Sequence, residues 1–201
     1  MFRFGRSPPW ASVTYWSLDV ETGGLNVRRD ALLSIGMVPI RGAAVRVGEA
    51  YATLVRPGPD ESIREDSIRT HQLVPSEVVD APPPEAVIGE VDRRLREGAL
   101  LVHNASVDVP FLRRLYRNSQ RHWPAPPVVD TVNLLWAAQE RQLFREPAST
   151  ALPELELGMA RARLGLPPHS AHDALSDALA TAELFLVLAA RLRARTLADL
   201  R

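Results

Sequence analysis

Asp19 and Glu21 stand two residues apart inside Thr14–Leu25, a run that Val13, Tyr15, Trp16, Leu18 and Val20 mark as a buried β-strand. Side chains two apart on a strand share a face, so the two carboxylates project side by side from the strand's end. An unpaired carboxylate is costly to bury, so the pair implies a compensating cation, commonly a metal. All-oxygen donors suit Mg²⁺ or Mn²⁺, and the turn Thr22-Gly23-Gly24 lets backbone approach a ligand closely. The plainer alternative is a chance Asp-x-Glu with one member facing solvent, and only further acidic groups downstream can separate the two.

Two such groups exist. Asp108 sits among apolar neighbours in Asn104–Leu112, where the chain passes into a helix with Phe111, Leu112 and Leu115 on its inner side. Asp177 lies one turn into the final helix, whose apolar stripe is Leu175, Leu179, Ala182 and Leu186 and whose N-cap is Asp173. His172 precedes Asp177 by five residues in the entering loop, which sets a mobile base beside a rigid ligand. The 201 residues include no cysteine and no lysine. Disulfides, thiolate sites, Schiff-base chemistry and a Walker-type lysine are thereby excluded. Carboxylates and five histidines remain as candidate ligands.

The elements that must position these groups follow from pattern. The second strand is expected over Ala31–Ile40 and the third over Ala43–Val55, joined by a turn at Arg41-Gly42. A short helix is expected over Ser62–Ile68, then a loop holding His71 and Pro75. Glu85–Glu97 has helical spacing and stops at Gly98. Ala99–His103 reads as a buried strand, Val128-Val129 as a short one, and Thr131–Gln142 as a helix. Glu146–Thr150 is a loop, and helices over Leu152–Leu164 and Ala174–Leu192 close the chain. A meander followed by alternating helices and strands predicts an α/β domain with a mixed sheet and helices on both faces.

The spacing carries a resemblance. Asp-x-Glu at 19 and 21, His-Asn-Ala-x-x-Asp ending at Asp108, and His-x-Ala-x-x-Asp-Ala from His172 resemble, in the right order, the three motifs of the DEDDh 3′-to-5′ exonuclease family. That family includes the epsilon proofreading subunit of DNA polymerase III, RNase T and oligoribonuclease. The resemblance implies an RNase H-like fold with a central five-stranded mixed sheet. The length fits one domain, which the resemblance makes an exonuclease domain over residues 13–195, behind a loosely tied arm of residues 1–12 that ends at Pro8 and Pro9 and that Trp10 is expected to anchor. Asp19, Glu21, Asp108, His172 and Asp177 match catalytic positions, the four carboxylates as metal ligands and His172 as general base. Thr22, Gly23, Leu25, His71 and Asn104 are the implied substrate-binding residues. Gly23 replaces the second Thr of the common Glu-Thr-Thr-Gly-Leu, Gln72 the Gly after His71, and Val107 the Phe before Asp108. None removes a metal ligand or the base, and the first two bear on the nucleotide pocket rather than on catalysis.

Four carboxylates can hold two divalent ions, Mg²⁺ or Mn²⁺, about 3.5–4 Å apart across a scissile phosphate. His172 is suited to take the proton of water near neutral pH. The resemblance implies single-stranded DNA or RNA 3′ ends as substrate, with DNA first, and a DNA polymerase or repair complex as partner. The chain ends soon after the last helix, so a stand-alone enzyme is expected. A non-catalytic interaction module with the same fold is the rival, and loss of one of the five residues would favour it. None is lost. His71 is open between loop packing and nucleotide contact. His103 is read as a hydrogen-bonded core residue, Asp130 as structural, and His122 and His169 as solvated loop residues. The tryptophans, Trp136 among them, are read as core or rim. Gln139–Phe144 faintly resembles a sliding-clamp peptide, with Gln142 where an aliphatic residue is wanted.

With 24 acidic and 24 basic residues the net charge is zero, which argues against a large duplex-binding footprint. The first ten residues lack the apolar core of a secretory signal, and no stretch is apolar enough to span a membrane. A cytoplasmic location is expected.

Overall fold

The computed structural model describes residues 7–145 and 152–201, with 142–145 described in backbone only. Residues 1–6 of the expected arm, the Glu146–Thr150 loop and the side chains of Gln142–Phe144 lie outside the described residues. The strands are β1 (Tyr15–Thr22), β2 (Leu32–Arg41), β3 (Ala44–Val45), β4 (Tyr51–Leu54), β5 (Ala99–Val102) and β6 (Val128–Asp130). The helices are α1 (Glu65–His71), α2 (Pro75–Val78), α3 (Pro84–Leu95), α4 (Ala105–Asn118), α5 (Thr131–Arg145), α6 (Leu157–Arg163) and α7 (Ala174–Arg191). They build one mixed sheet in the order β3-β2-β1-β5-β6, with β4 also paired to β2. β2 runs antiparallel to β1, while β5 and β6 run parallel to it.

Six strands stand where five were expected. The stretch Ala43–Val55 divides around a 3-10 turn at Val47–Glu49, and each half pairs with β2. Gly48 sits in that turn with open space where a Cβ would stand, and Val47 there is exposed, so the turn itself stands off the core while Val45 and Ala50 on either side pack against it.

Alternation along β1 sorts its side chains. Trp16, Leu18 and Val20 join one core with Val91, Leu95, Phe111 and Leu112 of α3 and α4. Tyr15 joins the opposite core with Ala178, Ala182, Phe185 and Leu188 of α7. Asp19 and Glu21 keep Tyr15's phase, so the period of two sends both toward α7.

The packing extends past the expected boundary at residue 195. Leu197 and Leu200 are buried in the α7 core, and residues 7–12 are held rather than loose. Trp10 N–H donates to Arg195 O at 3.1 Å, Leu197 N–H to Pro8 O at 3.0 Å, and the Trp10 ring meets Phe185 edge-on at 5.9 Å. Residues 152–156 are not helical as expected. Pro153 lies among them, and Glu156 caps α6 by accepting from the N–H groups of Gly158 and Met159 at 2.9 and 2.7 Å. The helix expected over Ser62–Ile68 is shifted to Glu65–His71.

Candidate active site

The end of β1 and the start of α7 meet because small groups face each other there. Gly36 on β2 lies opposite Asp19 in register, and a Cβ on it would fall 2.2 Å from the backbone of Ala174. Ser17 Oγ donates to Ala178 O at 2.7 Å, a second tie between strand and helix. One carboxylate oxygen each from Asp19, Glu21 and Asp177 therefore lies within 4.8 Å of the others. Gly36 was missed in the sequence, although glycine inside an otherwise apolar strand pattern is a recognised sign of close backbone approach.

Asp108, on the first turn of α4, stands outside this trio but close enough that its charge bears on Asp19. Both line a groove of about 460 Å³ with Asn104, Val107, Val132 and Glu156. Asp130 accepts from the N–H groups of Asn104, Ala105 and Val132 at 3.0, 2.8 and 2.9 Å, so it ties the start of α4 to the start of α5, a structural role as expected. Asn104 has φ 73°, and its side-chain oxygen accepts from Ser106 Oγ at 2.6 Å.

The electrostatics describe a site lacking a counter-charge. Burial first, and then Asp108, Glu21 and Asp177, push Asp19 well above the carboxylate range. Burial, with help from Asp177 and Asp173, lifts Glu21 to about 7. Burial lifts Asp108 to about 8, against the pull of hydrogen bonds from its own backbone and that of Val20. Among the described residues, no arginine pairs with Asp19, Glu21 or Asp108. An all-oxygen, convergent, mutually repelling donor set fits a hard divalent cation, and Mg²⁺ or Mn²⁺ suits it.

The histidines are arranged differently from expectation in one respect. His169, read as solvated, is largely buried, with its Nε2 2.8 Å from Asp177 Oδ1. The backbone N–H of His172 donates to Asp177 Oδ2 at 2.8 Å, while its imidazole is exposed and its φ is 65°. Asp177 is thus gripped at both oxygens by the loop that carries the expected base. His103 bonds Thr131 Oγ1 at 2.7 Å and Leu155 O at 2.8 Å, and His122 is exposed, both as expected.

His71, Thr22 and Leu25 line a neighbouring groove of about 510 Å³ that also takes in Glu21. Thr22 Oγ1 donates to Gly24 O at 2.9 Å, and Leu25 is 81% exposed at its edge. His71 is buried, which lowers its pKa. Its Nδ1 accepts from Leu73 N–H at 3.0 Å, so Nε2 bears the proton. That nitrogen has no well-formed partner. Gly23 is required by packing, since a Cβ would fall 2.2 Å from Ser62 O.

A helix-flanked mixed sheet with an acidic cluster at the end of its central strand defines an RNase H-like exonuclease fold. The chain belongs to the exonuclease family, whose match runs over residues 17–185, from the strand bearing Asp19 into the helix bearing Asp177. It is 36% identical over 194 residues to a DNA polymerase III subunit epsilon-like protein of Rhodobacter capsulatus, covering 94% of this chain and 25% of that protein. To the DNA polymerase III subunit epsilon of Treponema pallidum it is 28% identical, covering 89% of this chain and 77% of that protein. The fold is similar to that of E. coli exonuclease I in complex with a dT13 oligonucleotide, at a TM-score of 0.76 and 18% identity over 90% of this chain and 42% of that one. The chain spans between 12% and 27% of the length of the first curated relatives it matches. No helix among the described residues is long and apolar enough to cross a membrane.

Proposed function

We propose that the protein is a divalent-metal-dependent 3′-to-5′ exonuclease that hydrolyses single-stranded DNA ends to nucleoside 5′-monophosphates. The observation that carries this is the convergence of Asp19, Glu21 and Asp177, with no arginine paired to them among the described residues. Asp19, Glu21 and Asp177 would hold the metal, with Asp108 completing the donor set. Bound there, two divalent ions would supply charge neutralisation and electrophilic stabilisation of the phosphoryl group.

The rest falls to the chain's own residues. The exposed imidazole of His172 accepts the proton of the attacking water, a role supported by the hydrogen bond that ties its backbone to Asp177. His71 Nε2–H donates to the terminal nucleotide, while Thr22 and Leu25 wall the groove that holds it. Asn104 and Asp108 line the second groove, which reaches Asp19. A DNA polymerase or repair complex as partner is supported by the similarity to epsilon-type subunits.

The test is digestion of one sequence as DNA, RNA and 2′-O-methyl RNA, labelled at either end, with Mg²⁺, Mn²⁺ or chelator. Loss of the 3′ label as mononucleotide, fastest for DNA and only with metal, is expected. Preference for ribose would move the substrate to RNA, since the 2′-hydroxyl is what differs. Metal-dependent binding without turnover would make the protein an interaction module.

A further inference from the structure

Three charged side chains line the groove beside Glu21, two of them acidic and one basic. Glu21 and Asp66 line it, and of its described lining residues Arg64 is the only arginine. His71 adds no charge in this arrangement, because its Nδ1 accepts from Leu73 N–H and so carries no proton. A polyanionic strand entering this groove needs a cation.

Arg64 is delivered there by the departure at Gly23. Its N–H donates to Gly23 O at 2.8 Å, and its own carbonyl accepts from Ile68 N–H at 3.1 Å, so backbone bonds fix it between the end of β1 and α1. The approach depends on bare backbone at position 23, where a Cβ would meet Ser62 O at 2.2 Å and Ile63 Cα at 3.0 Å. Arg64 Cδ in turn lies 2.6 Å from where a side chain on Gly24 would begin. The guanidinium itself is barely engaged. Its ion pair is with Asp66 at 3.9 Å, between side chains 62% and 81% exposed, and so distant and solvated a pair holds little.

We propose that Arg64 binds a phosphodiester of the substrate strand beyond the terminal nucleotide, and so sets affinity for a strand over a mononucleotide. This rests on the nuclease reading above. The cation stands on a pinned backbone, next to the groove that reaches Glu21, with its donors available for bidentate contact to phosphate.

The experiment compares wild type, Arg64→Ala and Arg64→Lys on a single-stranded DNA decamer and on the p-nitrophenyl ester of thymidine 5′-monophosphate, which has no upstream phosphodiester. Arg64→Ala is expected to raise KM for the decamer by roughly tenfold with kcat within about twofold, and to flatten log KM against log salt by about 0.7. Arg64→Lys should recover part of the loss, since it keeps the charge but not the fork. Cleavage of the ester should be unchanged. Equal losses on both substrates, or none on either, would overturn the proposal. Failure of the nuclease reading shows separately, as wild type inert on both. Fluorescence anisotropy of the labelled decamer then decides, and equal affinity for wild type and Arg64→Ala would reject the role of Arg64.

Discussion

Asp19, Glu21 and Asp177 repel one another in a buried setting, and that repulsion governs what substitution does. Asp19→Asn removes a carboxyl that burial and its acidic neighbours hold well above the carboxylate range, so the metal-free protein should become more stable near neutral pH by about 1–3 kcal/mol while turnover falls at least a hundredfold. Chemical denaturation without metal, set beside a turnover assay, checks both. Destabilisation would show that the carboxylates are satisfied by something other than a metal. His169 offers a second case. Its bond to Asp177 Oδ1 orients a carboxylate that would bind metal, so His169→Ala should weaken Mn²⁺ binding about 10- to 100-fold, with His169→Gln partly restoring it. Calorimetric titration of Mn²⁺ reads this without reference to activity, and equal affinity in all three proteins would reject it. The five motif residues were legible in the sequence because each is a chemical type at a fixed spacing. His169 was not, because its contact arises from the path of the loop around Gly165–Pro168, which leaves no periodicity to read.

At the scale of elements, the site is the meeting of β1 and α7, and Gly36 sets how closely they meet. Gly36→Val would place side-chain atoms inside the backbone of Ala174. It should destabilise the protein by roughly 2–3 kcal/mol and lower turnover beyond what instability explains, as Asp177 is displaced. Thermal unfolding and assay at a temperature where the variant stays folded separate the two effects, and a variant with full turnover would show that the helix tolerates the shift. Strand and helix identities were largely legible, because β1, β2, β5, α3, α4 and α7 have strong periodicity. The division of Ala43–Val55 was not, since its apolar residues continue the alternation through the turn at Val47–Glu49. The helical start expected at Leu152 failed for a local reason: the side chain of Glu156 caps the helix four residues later.

For the whole molecule, burial of the acidic site couples folding to protons. Glu21 keeps its proton to about 7 in the folded state, against about 4.5 in an unfolded chain, and Asp108 to about 8 against about 3.8. Between the unfolded and folded values the unfolded chain binds fewer protons, so metal-free stability falls as pH rises through roughly 4 to 8, then levels off. Metal requires the ionised carboxylates, so its stabilisation grows over the same interval. Thermal unfolding from pH 5 to 8, with and without Mn²⁺, should therefore give curves that diverge as pH rises; parallel curves would contradict the linkage. Trp10 was legible as the anchor of the arm, but its partners at Arg195 and Leu197 were not, because single apolar residues outside a periodic element carry no pattern.

If the acidic cluster is a metal-dependent nuclease centre, cleavage must need both the metal and the side chains around it. The most direct measurement is single-turnover digestion of 3′-labelled single-stranded DNA by wild type, Asp19→Asn and His172→Ala, first in chelator and then with Mn²⁺ restored. Expected are no cleavage in chelator, release of the 3′ mononucleotide by wild type once Mn²⁺ returns, and deep loss in both variants although they remain folded. Equal cleavage by the variants, or undiminished cleavage in chelator, would contradict it.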